Sequence, residues 1–290
     1  RLKAHMRLMQ HFDPKTLRIR SDPTPITEGV YVGIAGNAKL GVPRTGALAF
    51  VPEFRAGQLV VLDRRGRADT LRIGTRRFHS PRFSPDGKFI VTSILEGDGS
   101  QDLWVVEPER ATMRQITFDS GSVEPVWSPD GRRIAYSRKP AARGFGFEIS
   151  STAVDGMQDP EVLVPPAVGQ LAGGFSPDGQ WLVFEPTDPA SRKDIWVAPL
   201  HGDRTPRRHL DSRFNEHAPA VSPDGNWLAF VSDESGRDEV YVAPFRHPGP
   251  AVRVSFEGGR RPRWASGREL IYRTADGFGA IDLEARLATL

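Results

Sequence analysis

The four-residue turn Ser-Pro-Asp-Gly recurs four times along the 290-residue chain at a nearly constant interval. Its copies are Ser84–Gly87, Ser128–Gly131, Ser176–Gly179 and Ser222–Gly225. Successive copies begin 44, 48 and 46 residues apart. A period of about 40–50 residues is typical of the blades of a β-propeller. The repeat therefore constrains the architecture strongly, and it says little about a ligand.

Each copy of the turn lies between two short apolar runs that have the composition of β-strands. The residues that end the first run are Phe83, Trp127, Phe175 and Val221. Pro presets φ in such a turn, Asp bonds the backbone two residues on, and Gly takes positive φ. A third apolar strand and a more polar fourth strand follow, as at residues 102–106 and 114–117. The pattern predicts four-stranded antiparallel blades with a polar outer edge.

The positions of the turn glycines predict six blades. The four intact turns are joined by two degenerate ones, Pro43–Gly46 and Ala265–Gly267. The predicted blades begin near residues 37, 78, 122, 170, 216 and 260. Residues 1–36 hold a polar strand at Leu17–Arg20, which we expect to complete the last blade and close the ring. The sequence thus predicts one all-β domain over residues 1–290, a six-bladed β-propeller of four-stranded antiparallel blades closed by an N-terminal strand.

Charge and composition exclude several classes of protein. The 39 basic and 36 acidic residues are interspersed, so no polybasic tract favours nucleic acid or an anionic membrane. The chain has no cysteine, which excludes disulfides and thiolate metal sites. No apolar run approaches the roughly 20 residues of a membrane helix, and no signal-peptide pattern precedes the first repeat. We expect no nucleic-acid partner and no membrane insertion, and we interpret the start at Arg1 as processing or excision from a longer protein.

The stretches RFSPDGKFIVTS and PVWSPDGRRIAYSR resemble the WD40-like (PD40) repeats of TolB-like propellers. The strongest likeness is to the TolB-like propellers fused C-terminally to bacterial serine/threonine protein kinases. It is carried by FDPKTLRIRSDPTPITEGV, by FNEHAPAVSPDGNWLAFVSDESGRDEVYVAPF and by PRWASGRELIYR. The resemblance covers nearly the whole chain and implies a ring that binds a protein or ligand in the periplasm or elsewhere outside the cytoplasmic membrane. Neither kinase motifs nor the peptidase domain of prolyl-oligopeptidase-like enzymes occur in these residues.

Motifs for catalysis are absent from the sequence. It contains no G-x-S-x-G elbow, H-E-x-x-H pair, P-loop or G-x-G-x-x-G. The turn carboxylates are interpreted as turn caps, and the six tryptophans as packing between blades. These carboxylates are Asp86, Asp130, Asp178 and Asp224. The sequence therefore predicts a non-catalytic binding module, a sensor or scaffold within a larger receptor or envelope protein, without a cofactor.

Polar residues at the start of the innermost strands are the candidate binding residues. They are His79, Glu124, Glu216, His217, Arg260 and Arg261. A core would not choose such residues because buried charge must be paired. They are therefore either solvated in a water-filled channel or directed at a protein or small ligand at the channel mouth.

Two alternatives to a simple binding module stay open at this point. His79, Glu124 and His217 could hold a divalent ion, which gives a metal-dependent hydrolase or lyase with its site in the central channel. The chain could also be the substrate-gating propeller of a peptidase, separated from its hydrolase domain.

Overall fold

The computed structural model describes residues 56–62 and 68–283, together with short strands before residue 56. The gaps in the second range are 140–145, 168–169, 187–193, 211, 248, 266, 268 and 276–277. The chain divides into two compact units, one of residues 1–78 and 95–100 and one of residues 79–94 and 101–290. The described part contains no helix with the length and apolar character needed to cross a bilayer.

The strands have the following bounds: β1 Arg7–Met9, β2 Phe12–Asp13, β3 Arg18–Ile19, β4 Thr24–Thr27, β5 Leu40–Gly41, β6 Ala49–Phe50, β7 Val60–Leu62, β8 Ala68–Thr70, β9 Arg77–Phe83, β10 Ile90–Leu95, β11 Gln101–Glu107, β12 Thr112–Gln115, β13 Ser122–Trp127, β14 Arg133–Arg138, β15 Phe147–Ala153, β16 Glu161–Ala167, β17 Gln170–Phe175, β18 Trp181–Pro186, β19 Trp196–Pro199, β20 Arg207–Arg208, β21 Glu216–Val221, β22 Trp227–Ser232, β23 Glu239–Pro244, β24 Val252–Arg253, β25 Arg260–Trp264, β26 Glu269–Arg273 and β27 Phe278–Asp282.

Strands β9 to β27 form five consecutive sheets, which we name blades A to E. Blades A (β9–β12), B (β13–β16), C (β17–β20) and D (β21–β24) each have four strands, paired in chain order. Blade E (β25–β27) has three strands among the described residues. The prediction of four-stranded antiparallel blades is confirmed for this part of the chain.

The hydrophobic core lies between consecutive blades. Each of four apolar clusters joins two neighbours: A with B, B with C, C with D, and D with E. In the first, Leu103 of blade A and Tyr136 of blade B are both fully buried. Burying an apolar side chain of this size stabilises the fold by about 1.5–3 kcal/mol. Each blade is therefore held mainly by its neighbours, as a propeller requires.

Two of the tryptophans also bond the preceding blade. The indole N–H of Trp127 in blade B donates to the carbonyl of Arg82 in blade A over 2.9 Å. Trp264 of blade E donates in the same way to Ala220 of blade D, again over 2.9 Å. The two bonds join equivalent positions on the first strands, which confirms the predicted packing role for these two residues.

The Ser-Pro-Asp-Gly turn has one hydrogen-bond pattern in all four copies. In blade B the hydroxyl of Ser128 donates to Asp130 over 2.5 Å and accepts the N–H of Arg133 over 2.9 Å. Asp130 also accepts the N–H of Arg132 at 3.0 Å, and Gly131 has φ +69°. The other three turns repeat these bonds. The Ser128 hydroxyl and the Arg132 amide hold the pKa of Asp130 below its usual value. The turn carboxylates are confirmed as caps.

The prediction of six blades is wrong for the described structure, which shows five. Where a first blade was expected near residue 37, the described strands form two separate pairs, β5 with β6 and β7 with β8. Much of that stretch lies outside the described residues. A glycine without the serine and aspartate of the intact turns is an ambiguous signal, because Pro43–Gly46 marks no four-stranded blade among the described residues, whereas Ala265–Gly267 lies between β25 and β26 of blade E. Counting turn glycines therefore overestimated the number of blades.

The predicted closing strand at Leu17–Arg20 corresponds in part to β3, Arg18–Ile19. Within the first unit β3 pairs antiparallel with β2, where Phe12 lies opposite Ile19. The described pairing is therefore local, and ring closure by this segment is not shown. A two-residue strand pairs most easily with the strand just before it, because the loop to be closed is short.

Two glycine substitutions in blade C test the role assigned to the turn. Gly179→Ala should lower the free energy of unfolding by about 1 kcal/mol, because φ is +67° at this position. An added Cβ would meet nothing within 4 Å, so the whole effect comes from the backbone conformation. Gly174→Ala is the matched control because its Cβ also meets nothing and its φ is not in the left-handed region. Urea unfolding of the two variants measures the difference. Equal stabilities would contradict the role of the turn glycine.

Candidate binding site in the channel

A cavity of about 680 Å³ is bordered by the first strands of all five blades. The contributing residues include Arg82 of β9, Glu124 of β13, Leu171 of β17, His217 of β21 and Arg260 of β25. The first strands therefore surround one space, which we call the channel cavity. Most of the side chains that border it are charged or polar, although the blades around it are packed with apolar groups.

A repeated β-bulge shapes the wall of this cavity. In blades B to E one extra residue interrupts the pairing of the first strand with the second. Four first-strand residues have φ near +50°: Ser80, Glu124, Ala218 and Arg261. A non-glycine residue in this region is uncommon and costs about 1 kcal/mol. The bulge re-aims the side chain at that position, and Glu124, Ala218 and Arg261 all border the channel cavity.

A proline directly follows each of these four left-handed residues. The prolines are Pro81, Pro125, Pro219 and Pro262. Proline lacks an N–H, so within a sheet it is tolerated mainly at edges and bulges. Blade C has Gly173 instead, where an added Cβ would come within 2.5 Å of the ring of Pro219 in blade D. A proline three residues before the turn, present in four of the five blades, was thus a sequence signal for the bulge.

Four of the six predicted site residues border the channel cavity, namely Glu124, His217, Arg260 and Arg261. His79 is not among the bordering residues, and its carbonyl accepts the hydroxyl of Thr92 over 2.9 Å. Glu216 borders a different cavity, of about 960 Å³, between blades C and D. Glu216 and His217 precede the bulge of β21, where the pairing with β22 is regular, so these two successive side chains point to opposite faces of the sheet.

Five ionisable residues of the cavity were missed from the sequence: Arg82, Glu185, Asp233, Asp238 and Arg263. Two of them carried a signal. Arg82 and Arg263 occupy the position two residues before the turn, where the other blades have Val126, Gly174 and Ala220. A cation at a position that is otherwise small or apolar marks a special site. The three acidic residues lie on second strands or loops, where no repeat pattern singles them out.

On one side of the cavity the carboxylates already have partners among the neighbouring residues. Asp238 lies 3.1 Å from the Nε of Arg260 and 3.7 Å from the Nε2 of His217. Asp233 accepts the backbone N–H and the side-chain amide of Asn215, over 3.0 and 2.5 Å. The Asn215 amide holds the pKa of Asp233 below its usual value. Both carboxylates are therefore already engaged by neighbouring groups of the protein.

The other side gathers arginines. Burial lowers the pKa of Arg263 to about 9, with the charges of Arg82 and Arg261 acting in the same direction and Glu124 opposing them. Arg82 also has a lowered pKa through burial, offset by Glu124, which lies 3.9 Å away. Glu124 in turn accepts the hydroxyl of Ser80 over 2.6 Å. The guanidinium groups stay protonated near neutral pH, so cationic charge is concentrated here.

The described part of the chain contains no set of side chains suited to bind a metal ion. No group of three or more His, Asp or Glu side chains there could hold a metal ion. Of the proposed set, Glu124 and His217 border the channel cavity, whereas His79 is not among its bordering residues. The nearby arginines would also repel a divalent cation.

Glu216 has a different environment from the channel residues. Its side chain is 3% exposed, one carboxylate oxygen bonds the hydroxyl of Ser212, and the other has no hydrogen-bond partner. Burial raises the pKa of Glu216 to about 7, opposed by the Ser212 bond and assisted by the charges of Asp194, Asp233 and Glu234. A buried carboxylate with a free oxygen is costly once it ionises. Glu216 is therefore a destabilising group at neutral and higher pH.

Glu216→Gln should stabilise the protein increasingly as pH rises. The folded pKa is above the unfolded one, so the contribution of Glu216 to stability falls between about pH 4.5 and 7 and is constant above. Gln keeps the acceptor for Ser212 and cannot ionise. We expect a gain of about 2–3 kcal/mol at pH 8 and under about 1 kcal/mol at pH 5, measured by urea unfolding.

The control for this pH effect is Glu109→Gln, which removes an exposed carboxylate of blade A. It should leave the pH profile of stability unchanged. A gain from Glu216→Gln that is the same at pH 5 and pH 8 would contradict the assignment.

Comparison with known proteins places this geometry among propellers. No family model matches the chain. It is 30% identical to "uncharacterized peptidase YuxL" of Bacillus subtilis (strain 168), over 43% of this chain and 25% of that protein. It is 29% identical to "uncharacterized protein Atu1656" of Agrobacterium fabrum, over 51% of this chain and 49% of that protein. The chain thus spans a quarter to a half of the length of these curated relatives.

Solved structures match over more of the chain. TolB from Acinetobacter baumannii superposes with a TM-score of 0.66 at 20% identity, covering 79% of this chain and 58% of that one. A puromycin-hydrolyzing peptidase of Mycobacterium tuberculosis gives a TM-score of 0.55 at 18% identity, covering 81% and 42%. At these identities the likeness concerns the fold alone. The blades, their packing and these superpositions together show that the chain has the fold of a TolB-like β-propeller.

Proposed function

We propose that this chain is a non-catalytic binding module whose ligand, a small molecule or a segment of a protein partner, enters the channel cavity. The observation that carries the proposal is the convergence of charged side chains on one cavity from β9, β13, β18 and β25 and from the loop between β22 and β23. Packing alone does not retain such groups, since burying charge is costly unless it is paired. A concave site with a few converging polar groups is the usual form of a binding site.

The chemistry of the cavity wall supports binding rather than turnover. Among the described residues that border it, one is a histidine and none is a serine, threonine, cysteine, tyrosine or lysine. Nucleophilic catalysis by a hydroxyl, thiol or amine requires such a group within hydrogen-bond reach of a base. Histidine 217 instead lies beside Asp238, which it shares with Arg260.

A second candidate function is the substrate-gating propeller of a peptidase. It is favoured by the likeness to a named peptidase and to a puromycin-hydrolyzing peptidase, each of which the chain covers only in part. In that role the channel cavity would filter peptides on their way to a hydrolase domain. The coding sequence on either side of these residues decides: a hydrolase domain favours gating, whereas a kinase domain with a membrane helix favours a sensor.

Placement outside the cytoplasmic membrane, in the periplasm of a bacterium, forms part of the same proposal. It rests on resemblance to TolB-like propellers, as does membership of a larger receptor or envelope protein. A metal-dependent hydrolase is the weaker alternative because no three-ligand set is found in the described residues. Elemental analysis of the purified protein tests that alternative directly.

Filling the cavity tests the proposed function. Leu171→Trp adds bulk at the cavity wall and should weaken ligand binding at least about tenfold, since a blocked site loses most of its contacts. The probes are capped tetrapeptides of acidic, basic and neutral composition, and binding is read by thermal shift and calorimetry. Val162→Trp, at an exposed position on β16, is the matched control and should bind as the parent does.

The same peptides serve as substrates in a parallel assay. The proposal expects binding that depends on the cavity and no cleavage above the buffer rate. Cleavage of a peptide, with binding equal in the Leu171→Trp and Val162→Trp variants, would contradict a non-catalytic channel site.

A further inference from the structure

The channel cavity has one side where positive charge exceeds the negative charge available to pair it. Arg82, Arg261 and Arg263 face Glu124 and Glu185 there. On the opposite side Asp238 is shared by Arg260 and His217, and Asp233 accepts hydrogen bonds from Asn215, so that side has no excess of positive charge. The cavity as a whole is bordered by four arginines and four carboxylates, and the three cations and two anions named above leave one net positive charge on their side. We call these three residues the channel arginines.

The two carboxylates are partly committed to other donors. Glu185 accepts the backbone N–H of Ala218 over 2.6 Å. Glu124 accepts the hydroxyl of Ser80, and its second oxygen lies 3.9 Å from Arg82. These bonds use acceptor capacity that the arginines would otherwise take. The carboxylates therefore reduce the positive potential without cancelling it.

The channel arginines are correspondingly short of acceptors. Within the described part of the chain no carboxylate oxygen lies within ion-pair distance of Arg261 or Arg263. Arg263 directs one nitrogen to the carbonyl of Pro262 at 2.7 Å, which leaves most of its five N–H donors unused. Arg261 has an exposed side chain whose position is set by the left-handed bulge. Donors are thus presented to the cavity without a protein partner for each.

The electrostatic repulsion between these neighbouring cations destabilises the protein. Burial and the neighbouring cations both favour loss of charge from Arg263, as its lowered pKa indicates. An anion between the guanidinium groups would relieve that repulsion and use the free donors. Guanidinium groups bind carboxylates through paired N–H bonds, which gives geometric selectivity as well as attraction.

We propose that the channel arginines bind a carboxylate group of the ligand, an inference that rests on the proposed function of the cavity. The net charge decides between anions. A carboxylate carries one negative charge and matches the single positive charge left on this side. A phosphate dianion carries two negative charges, so Glu124 and Glu185 would repel it more strongly than they would repel a carboxylate. A carboxylate can come from a free small acid or from a peptide, whose C-terminus and acidic side chains carry the same group.

Titration calorimetry on the full chain tests the proposal with defined probes. They are sodium propionate, inorganic phosphate, the peptide acetyl-Gly-Gly-Gly with a free C-terminus, and the same peptide amidated. We expect propionate or the free-acid peptide to bind, phosphate to bind more weakly, and the amidated peptide to bind least. Propionate binding alone identifies a free small acid as the source, and binding of the free-acid peptide identifies a chain terminus.

Charge-removing variants locate the site. Arg261→Gln and Arg263→Gln should each weaken carboxylate binding about tenfold or more, the loss expected for a hydrogen bond to a charged group. Arg261 is exposed, so Arg261→Gln should fold even if Arg263→Gln does not. The control is Arg110→Gln, which removes an exposed cation paired with Glu107 on blade A and should bind as the parent does.

The outcomes separate this proposal from the broader one. Carboxylate binding that is equal in Arg261→Gln and in the parent overturns the carboxylate site, and so does phosphate binding that is stronger than carboxylate binding. If a probe binds and only Leu171→Trp weakens it, the channel remains the binding site and the role of the arginines is wrong. If neither Leu171→Trp nor Arg261→Gln affects binding, both proposals fail.

Discussion

The interruption of pairing in the first strands is the constraint on which the channel cavity depends. A regular strand would alternate its side chains between the channel and the next layer of the blade. One extra residue in blades B to E breaks that alternation, and a left-handed residue before a proline appears in four of the five blades. The bulge costs backbone energy at Glu124 and Arg261, and it places both at the cavity. The β-bulges of the scaffold therefore place charged side chains at the channel.

The stabilisation that offsets the backbone cost of the bulges comes from other parts of each blade. Apolar clusters between neighbouring blades and the closed hydrogen-bond pattern of the turns stabilise the scaffold without the charged residues of the cavity. The position two residues before the turn can therefore differ from blade to blade. It is Val126, Gly174 or Ala220 in three blades, none of which is among the residues that border the cavity, and an arginine of the cavity wall in the other two. Such differences within a regular scaffold are where binding specificity can reside.

Much of the fold was predictable because the repeat reports on local chemistry. Serine, aspartate and glycine at fixed spacing specify a turn, so strand order and blade boundaries follow for residues 78–283. The count of six failed at one of the two degenerate copies, Pro43–Gly46, and held at the other, Ala265–Gly267, since glycine alone does not specify a turn of this kind. Closure by Leu17–Arg20 rested on architecture rather than on local signals, and the described strand there pairs with its neighbour.

Alignment on the turns located residues that border the channel cavity, but it did not show which way each side chain faces. His217 faces the cavity, while the adjacent Glu216 faces the space between blades, a distinction set by the period of the strand. Arg82 and Arg263 carried a signal in their repeat position. Asp233 and Asp238 could not be found, because their place depends on loops that no repeat pattern governs.

The most direct test of a binding channel rich in arginine is to locate an anion in it. A crystal soaked in bromide, a monoanion with an anomalous signal, should show a peak within about 4 Å of the guanidinium groups of Arg261 and Arg263. The account predicts that this peak is absent from crystals of the Arg261→Gln variant. Bromide found only at arginines outside the cavity, such as Arg246 beside Asp178, would contradict it.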